Sequence, residues 1–207
     1  MMQRRSFALS SQASLFGIDA PSDSVLELPS DFAYRDDLIL PEEERELVEH
    51  FETLPFKPFE FHGFLGKRQV ISFGWRYDFA GRALRDSDPI PAFLLTLRQK
   101  AADFAGVPAD SLQQVLVNKY DAGAGIGWHR DKPMFQDVIA VSLLGSCMLR
   151  LRRKLGAAWE RKSRAVQARS AYLLRGEVRQ EWEHSIPAVD RLRYSVTFRN
   201  FAQGSAI

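Results

Sequence analysis

The sequence predicts an α+β fold with helices in its first half and strands in its second. Two segments before residue 107 space their apolar residues three and four apart, as an amphipathic helix does. From Leu112 onward the chain breaks into short β-rich runs separated by turn residues, which is typical of an antiparallel barrel or jelly roll. We therefore expect a jelly-roll core with the N-terminal helices packed on its outside.

Each predicted helix has a start signal and an apolar stripe. In LPEEERELVEHFETL, residues 40–54, proline opens the helix and acids fill its first turn, near the positive end of the helix dipole. In PAFLLTLRQKAADFAG, residues 91–106, proline again opens the helix and a glycine ends it. The residues expected to be buried are Leu47, Val48, Phe51 and Leu54 in the first helix, and Phe93, Leu94, Leu97, Ala101 and Phe104 in the second.

Six strands are predicted after the helices, because each run is rich in apolar and β-branched residues and ends at a turn signal. The runs are LQQVLVNKY (112–120), DVIAVSLLG (137–145), CMLRLRRK (147–154), AYLLRG (171–176), WEHSIP (182–187) and RYSVTFRNF (193–201).

Length and composition agree with one globular domain. The chain has 207 residues, 45% of them hydrophobic and 12% aromatic, which is enough for a full core. We expect a flexible tail over residues 1–24, where no periodicity is visible, and a single domain over residues 25–207. The most apolar stretch, Val138 to Leu144, is far shorter than the ~20 residues that span a bilayer, so we expect no membrane helix.

Cysteine content and charge bear on the cellular compartment and on the kind of partner. A single cysteine, Cys147, leaves no internal disulfide and suits a reducing compartment, so we expect a cytoplasmic protein, and we expect a monomer. The net charge of +2 indicates no partner by itself. Between Arg150 and Arg169, however, eight basic side chains accompany one acid, Glu160. Such a patch fits either a nucleic-acid contact or a solvated hairpin.

The stretch DAGAGIGWHRD, residues 121–131, suggests three kinds of site. Its glycines at 123, 125 and 127 match neither the G-x-G-x-x-G fingerprint nor a P-loop, and strands follow them instead of a helix. Its His-Arg-Asp resembles a kinase catalytic loop, but position 136 is Gln instead of Asn and no Asp-Phe-Gly follows. A metal site is the option that remains, with the glycines turning the chain between two strands.

His129 and Asp131 are two residues apart, so on a strand they point to the same side. A third ligand must come from elsewhere, and His184 on a late predicted strand is the candidate. Two histidines and one carboxylate are typical of non-haem Fe(II), with zinc as the rival metal. Taken alone, a His-x-Asp pair is also a common structural arrangement.

The C-terminal predicted strand indicates an anion site. Arg193, Ser195 and Arg199 share one face, and two guanidinium groups there suit a short dicarboxylate. Asn118 and Tyr120 likewise share a face and offer amide and phenol donors to the same anion. The alternative is an outer face with two solvated arginines.

Together these motifs resemble the AlkB family of Fe(II)- and 2-oxoglutarate-dependent dioxygenases, over roughly Phe61 to Phe201. The matching elements are Asn118-x-Tyr120, Gly123, His129-Arg130-Asp131, His184-Ser-Ile-Pro187 and Arg193-Tyr-Ser-Val-Thr-Phe-Arg199. The resemblance implies a double-stranded β-helix that uses Fe(II), 2-oxoglutarate and O2 to hydroxylate a C–H bond; a hydroxylated N-methyl group then leaves as formaldehyde.

The resemblance also implies residue roles. Iron would be held by His129, Asp131 and His184. The keto-acid end of 2-oxoglutarate would lie near Arg199 and Asn118, and its distal carboxylate near Arg193 and Tyr120. Ser195 stands in the same site, where the family usually has Asn.

The resemblance identifies residues that would contact the substrate less completely than it identifies those that would hold iron and 2-oxoglutarate. GKRQVISFGWRYDF, residues 66–79, is similar to the segment with which family members hold a flipped base, and it makes Arg68, Trp75 and Tyr77 candidates. Trp182 is added as a fourth candidate. Repair members often place an acid shortly after the ligand Asp, whereas this chain has Lys132-Pro133.

Three functions therefore remain open. The first is an oxidative demethylase of alkylated bases in DNA or RNA, with nucleic acid as its partner. The second is a hydroxylase or demethylase of the same chemistry that acts on modified tRNA or a protein side chain. The third is a non-catalytic β-barrel binding module in which the His-x-Asp pair is structural.

Overall fold

The computed structural model describes residues 28–61, 64–78 and 83–202, so the predicted tail at 1–24 lies outside the described residues. The elements in chain order are β1 (Phe32–Arg35), α1 (Pro41–Glu52), β2 (Lys57–Phe61), β3 (Phe64–Phe73), β4 (Trp75–Asp78), β5 (Ala83–Asp86), α2 (Leu95–Ala105), β6 (Gln114–Tyr120), β7 (Ile126–His129), β8 (Phe135–Leu143), β9 (Cys147–Leu155), β10 (Ala158–Val166), β11 (Ala171–Leu174), α3 (Gly176–Gln180), β12 (Glu183–Ile186) and β13 (Arg193–Phe201). Short 3-10 turns cover Ala92–Leu94 and Ala109–Ser111.

The strands form two main sheets and one small one. The major sheet has seven antiparallel strands in the order β1-β11-β8-β13-β6-β3-β2. The minor sheet has four, in the order β10-β9-β12-β7, and β4 pairs with β5 alone. The predicted jelly roll is confirmed, since two mainly antiparallel sheets enclose one apolar interior.

The core has two layers, one on each side of the major sheet. Helices α1 and α2 pack on one side, where Phe51 and Leu97 meet Ile139 and Val141. On the other side, residues of β8 and β11 meet Leu149 and Leu151 of the minor sheet. A strand buried on both faces reads as an unbroken apolar run, which explains the VIAV sequence in the middle of β8.

The two predicted helices are confirmed, together with their signals. Pro41 begins α1, and the backbone N–H of Leu40 donates to the Glu43 carboxylate at 2.7 Å. Gly106 ends α2 with a left-handed φ of 65°. None of the helices in the described ranges is both long and apolar enough to cross a bilayer.

The structure differs from the sequence prediction between the helices. Strands β2, β3, β4 and β5 occupy the region around residues 57–86, where no strand was predicted. Their pairing is non-local: β3 binds β6, with Val70 opposite Asn118. A pattern within residues 57–73 does not reveal a partner that lies about 50 residues away, and Pro58 and exposed Lys67 further weaken the strand signal.

Gly74 joins β3 to β4, with a φ of 73°, and a Cβ placed on it would lie 2.1 Å from the Gln113 carbonyl oxygen. We expect Gly74→Ala to lower the free energy of unfolding by more than ~3 kcal/mol, measured by urea denaturation. Gly156→Ala is the matched control, because Gly156 has a φ of 59° but no atom within 4 Å of its Cβ position. This control substitution should lower the free energy of unfolding by only ~1 kcal/mol. Equal losses would contradict the role of the close approach.

Candidate metal centre and adjoining cavity

The pairing of β7 with β12 brings the predicted metal ligands together. His129 lies directly opposite His184 in the register, and their rings are 4.2 Å apart. Asp131 follows β7 and points the same way, so that the three ligand atoms lie within 4.8 Å of one another. Three side chains from two neighbouring strands thus converge on one point.

The glycines before His129 allow this pairing. Gly123 has a left-handed φ of 84°. Gly125 packs against the backbone that follows β12, because a Cβ there would lie 2.7 Å from the Ile186 carbonyl oxygen. The glycine-rich stretch is therefore a turn and a close backbone contact between the two ligand-bearing strands.

Both histidines are in the state that a metal requires. The ring Nδ1 of His129 lies 2.9 Å from the Gly127 carbonyl oxygen. A carbonyl only accepts, so Nδ1 carries the proton and the Nε2 lone pair is left for a cation. Burial lowers the pKa of His129, and burial together with the neighbouring His129 lowers the pKa of His184 to about 3. Both imidazoles are thus neutral near pH 7.

Asp131 is held ionised by its surroundings. Burial alone would raise its pKa, but Arg199 above all, and then the nearby histidines and Arg179, keep the pKa of Asp131 well below its usual range. Arg199 donates to Oδ1 from Nε at 2.9 Å and from Nη2 at 2.7 Å. The other oxygen, Oδ2, is buried without a hydrogen-bond donor among the described residues, 3.6 Å from His184 Nε2. A buried anionic oxygen beside two neutral imidazoles fits a divalent metal ion.

Arg193 has the features of an anion receptor. Its guanidinium is fully buried, and Nε donates to Ser142 Oγ at 3.1 Å. Nη1 and Nη2 have no hydrogen-bond partner in the described part of the chain. The guanidinium packs 5.1 Å from the ring centre of Tyr120, which lies opposite it in the register of β6 and β13. A buried cation with two free donors fits a carboxylate.

A cavity of about 830 Å3 adjoins the metal ligands. One part of its wall is formed by His129, Asp131 and His184 together with Asn118, Tyr120, Ser195 and Arg199. Arg193 does not itself line the cavity, although the Tyr120 ring against it does.

The facing wall comes from β2, β3 and β4 and includes Phe59, Arg68 and Tyr77. Arg68 is buried, which lowers its pKa, and it donates to the side-chain Oδ1 of Asn118 while lying 3.8 Å over the Phe59 ring. Lys132 Nζ lies 4.5 Å from the ring centre of Tyr77. Aromatic rings and cations therefore face the ligand triad across the cavity.

Two of the four substrate candidates are placed away from the cavity. The Trp75 ring packs edge-on against Phe201, with the ring centres 6.0 Å apart. Trp182 is buried between the sheets, and its indole N–H donates to Glu177 at 3.3 Å. Neither tryptophan lines the cavity beside the candidate metal ligands, whereas Arg68 and Tyr77 do.

Several residues of the site had no signal in the sequence. Gln114 lies opposite Arg199 and accepts from its Nη1 at 2.7 Å, which orients the guanidinium toward Asp131. Arg179, in α3, donates to the carbonyl oxygens of Lys132 and Phe135 and so fixes the turn after Asp131. Only the strand register, which one sequence does not reveal, would have indicated Gln114.

Comparisons with known proteins agree with this geometry. A family model described as the 2OG-Fe(II) oxygenase superfamily matches residues 46–199. The chain is 27% identical over 162 residues, 66% of this chain and 47% of the relative, to the alkylated DNA repair protein ALKBH8 homolog of Arabidopsis thaliana. It is 33% identical over 99 residues, 42% of this chain and 47% of the relative, to protein L905 of Acanthamoeba polyphaga mimivirus. The matches thus span about half the length of these curated relatives.

Among solved structures, that of OsALKBH1 superposes with a TM-score of 0.65 at 15% identity, covering 84% of this chain and 98% of the other. At this identity the likeness concerns the fold. The family model spans most of the chain, and the resemblance to AlkB-type enzymes is confirmed. The chain belongs to the 2OG-Fe(II) oxygenase superfamily.

Proposed function

We propose that this protein is a dioxygenase that oxidatively demethylates alkylated bases of DNA or RNA and releases formaldehyde, carbon dioxide and succinate. The observation that carries the proposal is the cavity of about 830 Å3, in which the ligand triad faces aromatic and cationic side chains at a size that suits a flipped base. The Arabidopsis thaliana relative is named as an alkylated DNA repair protein homolog, which supports the same substrate class.

The metal role is assigned to His129, Asp131 and His184. Iron bound there, with 2-oxoglutarate, supplies oxidising chemistry that puts one atom of O2 into a C–H bond and the other into succinate. Arg199 keeps Asp131 ionised and oriented, while Gly127 fixes the tautomer of His129. These contacts set the ligands in place before any metal arrives.

The co-substrate role is assigned to Arg193, Arg199, Asn118, Tyr120 and Ser195. Arg199 already uses its guanidinium on Asp131 and Gln114, so we assign it to orient the keto-acid end through Asp131. Arg193 has two free donors, which suit the distal carboxylate, with Tyr120 beside it. The hydroxyl of Ser195 lines the cavity and offers a shorter reach than an amide.

The base would enter between the two cavity walls. Tyr77 and Phe59 offer ring faces for stacking, and Arg68 offers guanidinium donors. Trp75 and Trp182 have no part in this proposal. A cytoplasmic location, a monomeric state and a single domain over residues 25–207 stay predictions.

Lys132 favours a second candidate function. Its ammonium group lies over Tyr77 in the cavity wall, next to the ligand Asp131, and would attract an anionic group on the substrate. A hydroxylase or demethylase of modified tRNA or of an acidic protein side chain fits this feature. A non-catalytic module does not fit membership of an oxygenase superfamily.

Methylated single-stranded DNA and RNA oligonucleotides should release formaldehyde in the presence of Fe(II) and 2-oxoglutarate, measured with a fluorogenic aldehyde assay. Asp131→Ala should abolish release because it removes the only carboxylate of the triad. Asp121→Ala, at an exposed carboxylate, is the matched control and should retain activity. Succinate without formaldehyde, together with a stable hydroxylated product, would favour the second candidate. Neither product from any substrate would contradict both.

Arg193→Met should weaken 2-oxoglutarate binding by ~1.5–3 kcal/mol, or roughly 10- to 150-fold in Kd, because the charged hydrogen bonds are lost. Calorimetric titration with Mn2+ in place of iron measures this without turnover. Met keeps the buried volume, and the melting temperature without ligand reports on the fold. Arg191→Met, at an exposed arginine, is the control. A Kd within twofold of wild type would remove Arg193 from the site.

Metal binding should depend weakly on pH. Two ordinary histidines, with pKa values near ~6.5, would lose roughly 100-fold in metal affinity at one pH unit below that value because both gain protons. Burial lowers the pKa of both histidines here, so they stay neutral. We expect the Co2+ Kd to change by less than ~10-fold between pH 7.5 and 5.5, measured by absorption titration. A 100-fold loss would show that the imidazoles titrate normally.

A further inference from the structure

The minor sheet has two faces of different character. Leu149 and Leu151 of β9 point inward to the core, while Arg150 and Lys154 are exposed. In β10 the exposed residues likewise alternate with half-buried ones. Residues paired across strands share a face, so the pairs Lys154–Trp159, Arg152–Arg161 and Arg152–Glu183 belong to one surface. We call this the outer face, defined by Trp128, Arg150, Arg152, Lys154, Trp159, Arg161 and Glu183.

Charge is divided unevenly between the two sides of the β9–β10 hairpin. On the inner side, Glu160 binds Arg153 at 2.7 Å and lies 3.8 Å from Lys162, while the Arg164 guanidinium lies 4.0 Å from the ring centre of Tyr34. On the outer face the sole carboxylate is Glu183, which binds Arg152 at 2.7 Å. Arg150, Lys154 and Arg161 form no ion pair within the described ranges. Within the basic segment 150–169, Glu160 therefore forms ion pairs on the inner side, and three cations without an ion pair among the described residues lie on the outer face.

The outer face also carries a row of stacked aromatic and cationic groups. The Arg152 guanidinium lies 4.3 Å from the ring centre of Trp128 and 4.3 Å from that of Trp159. Trp159 is 37% exposed, which leaves ring surface for a further stacking partner. Trp128 lines the cavity as well as this row. The row therefore runs from the cavity wall toward the tip of the hairpin.

We propose that the outer face binds the strand of the nucleic acid whose alkylated base enters the cavity, with Arg150, Lys154 and Arg161 on phosphates and Trp159 under an unpaired base. This inference rests on the proposed function. Arg150 and Lys154 lie four residues apart on β9, about 13 Å along the strand, and Arg161 lies on the neighbouring β10. Cations spread over that distance suit an extended polyanion better than a compact one. Interleaved indoles favour nucleic acid over an acidic peptide, because every base offers a ring face.

The test measures binding and turnover separately. Fluorescence anisotropy of labelled, unmodified single-stranded DNA and RNA 15-mers reports binding by the full chain at several salt concentrations. Lys154→Glu with Arg161→Glu should weaken binding at least tenfold and reduce the slope of log K against log salt by about 1.4, the value for two lost phosphate contacts. Trp159→Ala should weaken binding about tenfold and leave the slope unchanged.

Arg35→Glu with Arg45→Glu is the control, since it makes the same charge change at exposed residues of β1 and α1. Turnover of a free methylated nucleoside should be unchanged in all variants, because none of these residues touches the cavity. Wild-type affinity in the outer-face variants, an equal loss in the control, or equally tight binding of polyglutamate would overturn the proposal. Selective loss of binding with no turnover in any protein would retain the surface and reject the demethylase function. The tighter of the DNA and RNA arms identifies the partner.

Discussion

The ion pair between Asp131 and Arg199 joins the two sheets at the point where the candidate metal ligands converge. Arg199 belongs to β13 in the major sheet, and Asp131 follows β7 of the minor sheet. Both side chains are buried, so the loss of one partner would leave an uncompensated charge in the interior. The pair therefore links the two sheets within the wall of the cavity that lies between them.

The two sheets contribute different side chains to the candidate site. The minor sheet presents both histidines on its inner side, and the cations Arg150, Lys154 and Arg161, which form no ion pair with any described residue, on its outer side. The major sheet presents the buried arginines and their neutral neighbours from β6. The helices contribute no ligand, and they cover the far side of the major sheet so that its central strands are buried on both faces. One face of the major sheet thus packs against the helices, and its other face carries residues of the candidate site.

Candidate site residues could be predicted from the sequence where a short local pattern indicated them. The convergence of His129 and Asp131 could be predicted from their two-residue spacing, and that of His184 from the small number of histidines. Trp182 lies in the buried core, because a tryptophan beside a strand that carries a candidate ligand packs as readily into a core as into a cavity. Gln114 and β2 to β5 depend on strand register and non-local pairing, which a single sequence does not encode in any local pattern.

The position of β13 in the major sheet implies that this sheet is completed late in synthesis. β13 is the last strand of the described residues, yet it lies at the centre of the seven-stranded sheet, between β8 and β6. During synthesis the earlier strands emerge first and leave this central position open until β13 inserts. The same insertion delivers Arg193 and Arg199, only shortly after β12 has delivered His184. His184, Arg193 and Arg199 all lie on the last two described strands, so we expect the nascent chain to complete the proposed metal and anion sites only when these strands pair.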